Sequence, residues 1–314
     1  MKQLEYARLL KQMCEHLGLP DAATLLETGL LRVGGHDLLL HYDEMSESDV
    51  IQARLDMGAL DKDQREWMWY RLLVSNFEWG ANGTVGWSLT PEGDHVTVTA
   101  QYPYDVQTTG AALASWLRNL VACTEAYWRV LPSRRPVAEI LSLVSLQRVV
   151  LPAQPQAASW EALIEAFCTH VGLTERDHLL NDGDMLAVDG VDMLLRHDKA
   201  AAGRFEVRID LGMDIVTSRE TLWQGLLWNN FVVGLTGRVL FSVHPDRDAV
   251  VLTLQQDLPA EVNAEEFVEL LQAIAGNAKN FWSEARAAIG RAEAALQKGP
   301  PHSGASKVRQ RSVG

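Results

Sequence analysis

The chain is written twice. Shifted by 154 positions, Cys14-Glu15-His16-Leu17-Gly18-Leu19 falls on Cys168-Thr169-His170-Val171-Gly172-Leu173, and Leu55-Asp56-Met57-Gly58 falls on Ile209-Asp210-Leu211-Gly212. The longest agreement joins Arg65, Glu66, Trp69, Leu72, Leu73, Asn76 and Phe77 to Arg219, Glu220, Trp223, Leu226, Leu227, Asn230 and Phe231. Repeats of this length are two copies of a domain, not a solenoid. The expected units are 1–131 and 159–298, with a linker 132–158 bracketed by Pro132, Pro136, Pro152 and Pro155, and a disordered basic tail 299–314. An apolar stripe of Val137, Ile140, Leu141, Val144 and Leu151 predicts a short helix or strand inside the linker.

Charge follows the same division. The copies carry −8 and −10, the linker +2 and the tail +3, within a total of −13 over 314 residues. That balance opposes nucleic-acid binding, which needs clustered Lys and Arg. No apolar run reaches the ~20 residues of a membrane span, and the start lacks a signal-peptide core. Cys14, Cys123 and Cys168 sit in apolar helical patterns and read as thiols in a reducing cytoplasm.

Each copy reads as α-β-β-β-α-β-β-α, an α+β class with largely antiparallel sheets. Helix 3–17 stops at Gly18. Strands follow near 30–33, 38–42 and 51–57, the last alternating as Ile51, Ala53, Leu55, Met57 against Gln52, Arg54, Asp56. Capping boxes at Asp63-x-x-Glu66 and Thr217-x-x-Glu220 open the central helices, and Asn263-x-x-Glu266 opens the last. Leu38-Leu39-Leu40 and Met193-Leu194-Leu195 do not alternate, so both sheet faces are expected to need cover, one of them as a docking surface for an extended apolar segment.

Chemistry finds no foothold. Cys14/His16 and Cys168/His170 are two apart on a helix and diverge by ~200°, so they cannot chelate one ion; the histidines read as partners for helix-end carbonyls. Gly80-x-x-Gly83-x-x-Gly86 follows a helix, where a phosphate cradle would precede one. Asp56 and Asp210 at strand ends read as turn or cap residues.

The central helices are the informative elements. Trp67, Met68, Trp69, Tyr70, Leu72, Leu73, Phe77 and Trp79 cover more than one face, as do Leu222, Trp223, Leu226, Leu227, Trp228 and Phe231. A helix apolar nearly all round is buried on both sides. Its second partner is expected to be the equivalent helix of the other copy, giving a pseudo-dimer interface of Trp69, Leu72, Leu73, Phe77, Trp223, Leu226, Leu227 and Phe231.

On these residues the chain resembles the class I type III secretion chaperones, the Tir-chaperone or CesT family. The marks are the helix end His16–Leu19, the Gly34-Gly35 hairpin into Leu38–Leu40, the strand end Leu55–Gly58 and the aromatic helix through Asn76-Phe77, repeated in copy two. The resemblance implies a non-catalytic, cofactor-free cytoplasmic bacterial chaperone that holds an extended N-terminal segment of a secreted effector, with the secretion ATPase or other export components as further partners. Two copies in one chain imply an intramolecular pseudo-dimer where the family forms homodimers. Partner contacts are nominated at Leu9, Met13, Leu38, Leu40, Ile51, Ala53, Leu163, Phe167, Met193, Leu195, Phe205 and Val207. A regulatory or export-apparatus adaptor on the same scaffold is the alternative, and an enzyme with an unrecognised site is a third class.

Overall fold

A computed structural model describes residues 2–19, 22–42, 50–80, 85–91, 95–104, 107–133, 135–138, 159–174, 179, 185–197, 203–212, 218–233 and 238–297. In the first half these form α1 (Lys2–Leu17), α2 (Ala22–Thr28), β1 (Leu30–Val33), β2 (His36–Tyr42), β3 (Val50–Ala59), α3 (Arg65–Gly80), β4 (Val85–Leu89), β5 (His95–Pro103) and α4 (Gly110–Val130). In the second they form α5 (Trp160–Val171), β6 (Met185–Val188), β7 (Val191–His197), β8 (Arg204–Gly212), α6 (Arg219–Val233), β9 (Val239–Val243), β10 (Val250–Asp257) and α7 (Ala264–Gln297). The two antiparallel five-stranded sheets have the same order, β1-β2-β3-β5-β4 and β6-β7-β8-β10-β9. The α+β class with two like sheets is therefore observed.

The repeated Cys-x-His-x-Gly-Leu segment is a helix stop. Gly18 and Gly172 take φ of 73° and 75°, a left-handed turn that costs a side chain with a Cβ about 1–2 kcal/mol. The turn lets the Leu19 and Leu173 N–H groups reach back to the Cys14 and Cys168 carbonyls, both at 2.9 Å. The His16 carbonyl, left over at the same end, accepts from Arg118 of α4. The repeated Leu-Asp-x-Gly segment is a strand end: Asp56 Oδ1 accepts from the Gly58 N–H at 2.8 Å, and Asp210 Oδ1 from the Gly212 N–H at 2.9 Å. Both aspartates serve their own backbone.

Three local details differ from the sequence reading. A seven-residue helix, α2, precedes β1; it buries only Leu25, too little apolar periodicity to show in sequence. Helix α3 is entered through a short 3-10 turn capped by Asp61. Helix α6 is capped by Ser218, whose hydroxyl accepts from the Thr221 N–H at 3.2 Å. Thr217 lies outside the described residues, as do the tail 299–314 and most of the linker, where Val137 is buried.

In each half one sheet face packs on the first and last helices. The α1–α4 and α5–α7 pairs cover Leu38, Leu40, Ile51, Ala53, Leu55 and Val98, and their counterparts Met193, Leu195, Phe205, Val207, Ile209 and Leu252. The leucine run on β2 therefore alternates after all. Leu38 and Leu40 are 1% and 3% exposed, while Leu39 is half-buried near Gly29.

Candidate functional site

The opposite sheet face is polar yet buried. Alternation on β3 and β5 places Gln52, Arg54, Thr97, Thr99 and Gln101 there, and the second half repeats it with Glu206, Arg208, Thr253 and Gln255. Polar side chains accept burial only when their donors and acceptors are met. Here the two arginines are met by the other half.

The contacts are reciprocal: equivalent residues of the two copies, 154 positions apart, make the same contact on the opposite half. The Arg54 guanidinium lies 4.0 Å above the Phe231 ring and donates to the Phe231 carbonyl at 3.1 Å. Arg208 lies 4.6 Å above the Phe77 ring and donates to the Phe77 carbonyl at 3.4 Å. Phe77 and Phe231 sit in the last turns of α3 and α6, where unsatisfied carbonyls and the helix dipole favour a cation. Each half thus caps the central helix of the other. Burial lowers the Arg54 pKa from its ordinary value, yet a guanidinium stays charged.

Between the caps, two asparagines bridge the edge strands. Asn76 Oδ1 accepts from the Trp87 N–H at 2.7 Å, and its Nδ2 donates to the Trp87 carbonyl at 2.9 Å and the Phe241 carbonyl at 3.4 Å. Asn230 repeats this on Phe241 at 2.7 and 2.8 Å and reaches the Trp87 carbonyl at 3.5 Å. Both asparagines are at most 2% exposed.

Of the eight residues nominated for the junction, Trp69, Leu72, Leu73, Trp223, Leu226 and Leu227 are fully or nearly fully buried, and Phe77 and Phe231 lie under the arginines. Tyr70 meets Trp223 at 5.9 Å between centroids. The twelve nominated partner contacts require correction. All are 4% exposed or less, because they hold each sheet to its own helices, so none presents a free surface. Nor is the second sheet face open for docking where the opposite half covers it. Sequence reasoning missed Arg54 and Arg208; the available signal was a matched arginine pair on the polar side of matched strands.

His244 ties a turn to this junction. Its ring lies 4.7 Å from the Phe77 ring, and its Nδ1 accepts from the Asp246 and Arg247 N–H groups at 3.2 and 3.3 Å. Burial, then Arg247, lowers the His244 pKa, against smaller opposing effects of Asp246 and Asp210 and with a further lowering by Arg208. With its folded-state pKa below 6.5, the group binds more protons when unfolded, so its contribution is full above pH ~6.5 and is lost as pH falls through the folded value. Thermal unfolding of the chain and of His244→Asn at pH 7.5 and 5.5 checks this. The asparagine keeps an acceptor without titrating, so the variant is expected to lose less stability on acidification. An equal loss would refute the role.

Outside the junction, β1 and β6 are the outer edges of the two sheets and carry exposed Leu30 and Met185, 56% and 43% accessible. Beside β1 lies an open groove of about 400 Å³, floored by Leu17, Leu19, Val33 and Val121 and rimmed by Arg32 and Arg118. Among the described residues, no group of three or more His, Cys, Asp or Glu is placed to hold a metal ion, and no helix is long and apolar enough to cross a membrane.

Comparison with known proteins gives two findings. Residues 8–128 match the model of the Tir chaperone protein (CesT) family. A solved structure, described as the crystal structure of the ExsC-ExsE complex, is 20% identical over 42% of this chain and 98% of the matched chain, with a TM-score of 0.32. No curated protein matches the chain. Over residues 8–128, from within α1 to near the end of α4, the chain is similar to the Tir chaperone protein (CesT) family.

Proposed function

We propose that the chain is a type III secretion chaperone of the bacterial cytoplasm. Two CesT-like halves in one polypeptide pair as an intramolecular pseudo-dimer and hold an extended N-terminal segment of a secreted effector. It works by binding, without catalysis or cofactor. The family match over residues 8–128 carries the reading. The reciprocal caps, made by arginines at equivalent positions of the two copies, support the pairing.

Because the nominated core residues are sealed, the effector segment is assigned to the outer edges. β1 and β6 are the outermost strands of their sheets, and Leu30 and Met185 offer apolar anchors for strand addition. Affinity capture from a native lysate with mass spectrometry tests the function. Recovery of one secreted protein, mapped by limited proteolysis to its N-terminal region, is the expected result. Recovery of other chaperones or a regulator would favour the adaptor reading.

With the effector in hand, Leu30→Asp/Met185→Asp is expected to weaken binding at least ~10-fold, since each site loses about 1.5–3 kcal/mol of apolar burial. Tm should barely move, because both side chains are exposed. Unchanged affinity by calorimetry would remove the edges from the binding surface.

A further inference from the structure

The asparagine bridges place the near-symmetry axis of the junction between β4 and β9, beside residues 86–87 and 240–241. The Trp87 and Phe241 carbonyls lie within reach of both Asn76 and Asn230. Residues 86 and 240 occupy equivalent places in the two copies, and they are unlike. Gly86 faces Leu240, and a Cβ built on Gly86 would lie 2.8 Å from Leu240 Cδ1. Gly86 does not have a left-handed backbone, so glycine is needed here for space and not for conformational freedom.

A true homodimer must place the same residue on both sides of its axis. With glycine twice, the space filled by the Leu240 side chain is left empty. With leucine twice, two isobutyl groups compete for a space that fits one. A terminal methyl such as Leu240 Cδ1 turns aside for one added carbon but not for a whole second side chain. Voids and overpacking each cost stability, so both like pairings are disfavoured against the unlike one.

Resting on the pseudo-dimer reading, we infer that Gly86 and Leu240 form a hole-and-knob lock that makes each half the fitted partner of the other and selects against pairing with a second copy of itself. Chain duplication is what permits this. Once the halves are encoded separately, one side of the axis is free to shrink while the other grows. The lock specifies an intramolecular partner and keeps both outer edges in one molecule.

The test uses the full chain in Gly86→Leu, Leu240→Gly and the double exchange, which moves the knob to the other side of the axis. Each single change is expected to lower Tm by on the order of 5 °C. The double is expected to recover more than half of the summed loss, with light scattering reporting a monomer. If a single variant fails to fold, Gly86→Ala and Leu240→Ala supply a milder cycle, with coupling of the same sign and smaller size. In parallel, Gly86→Cys/Leu240→Cys is treated with a short bis-thiol crosslinker, with the unsubstituted chain as control. An intramolecular crosslink with additive losses in the exchange would overturn the lock and leave the pairing intact. Absence of the crosslink would overturn the pairing itself, and the lock with it.

Discussion

Arg208→Met is expected to destabilise the folded chain by about 3–5 kcal/mol, several times the effect of Arg54→Met. The two arginines occupy equivalent places but not equivalent fields. Arg208 pairs with Glu206, which is 2% exposed and also accepts from Gln255 Nε2 at 3.1 Å. Removing the guanidinium leaves a buried carboxylate without its cation, beside the neutral Gln255 amide. In the first half the residue matching Glu206 is Gln52, paired across the strands with Gln101, so Arg54→Met strands no charge. It loses the cap on Phe231 and the contact with its ring, about 1–2 kcal/mol. Guanidinium unfolding of both variants gives the comparison through their midpoints. Adding Glu206→Gln to Arg208→Met converts the second half to the neutral arrangement of the first and should restore most of the loss. If the two arginine variants were equally destabilised, the buried charge would not be the cause.

Asn76→Leu is the second large effect, expected at about 2–4 kcal/mol. Leucine is close to asparagine in size, so the loss is of hydrogen bonds and not of packing. The Trp87 N–H is left buried without its acceptor, and the Trp87 carbonyl keeps only the long contact from Asn230. Asn230→Leu should cost a similar amount through Phe241. The double variant is expected to lose ~0.5–1 kcal/mol more than the sum, because each asparagine partly covers the carbonyl the other abandons. Losses adding within ~0.3 kcal/mol would show that the two bridges act separately and that strands β4 and β9 are not tied to each other through them.

Much of the fold was legible because its signals are local. The Gly18 and Gly172 stops, the alternation on β3 and β8 and the Asn263 cap are each set by a few adjacent residues, and each lies where the sequence puts it. Helix α2 was not legible, since seven residues with one buried leucine carry no period. The nominated partner contacts failed for a different reason. Apolar periodicity marks the face an element buries but not what covers it, and all twelve side chains are closed between each sheet and its own helices. Arg54 and Arg208 were visible as a matched pair, yet a charged residue on the polar side of a strand ordinarily faces water. Only the other half's helix end turns it into an interface residue.

By itself the sequence determined that one domain pattern occurs twice, which elements each copy contains and that both copies are acidic. These are properties of residues close in the chain. The tertiary structure decided which apolar and polar faces meet: α3 and α6 end under arginines from the opposite sheet, the second sheet face is buried, and Gly86 lies against Leu240. Each of those contacts joins residues more than 130 positions apart. Their geometry depends on how two finished sheets pack, which no local pattern records.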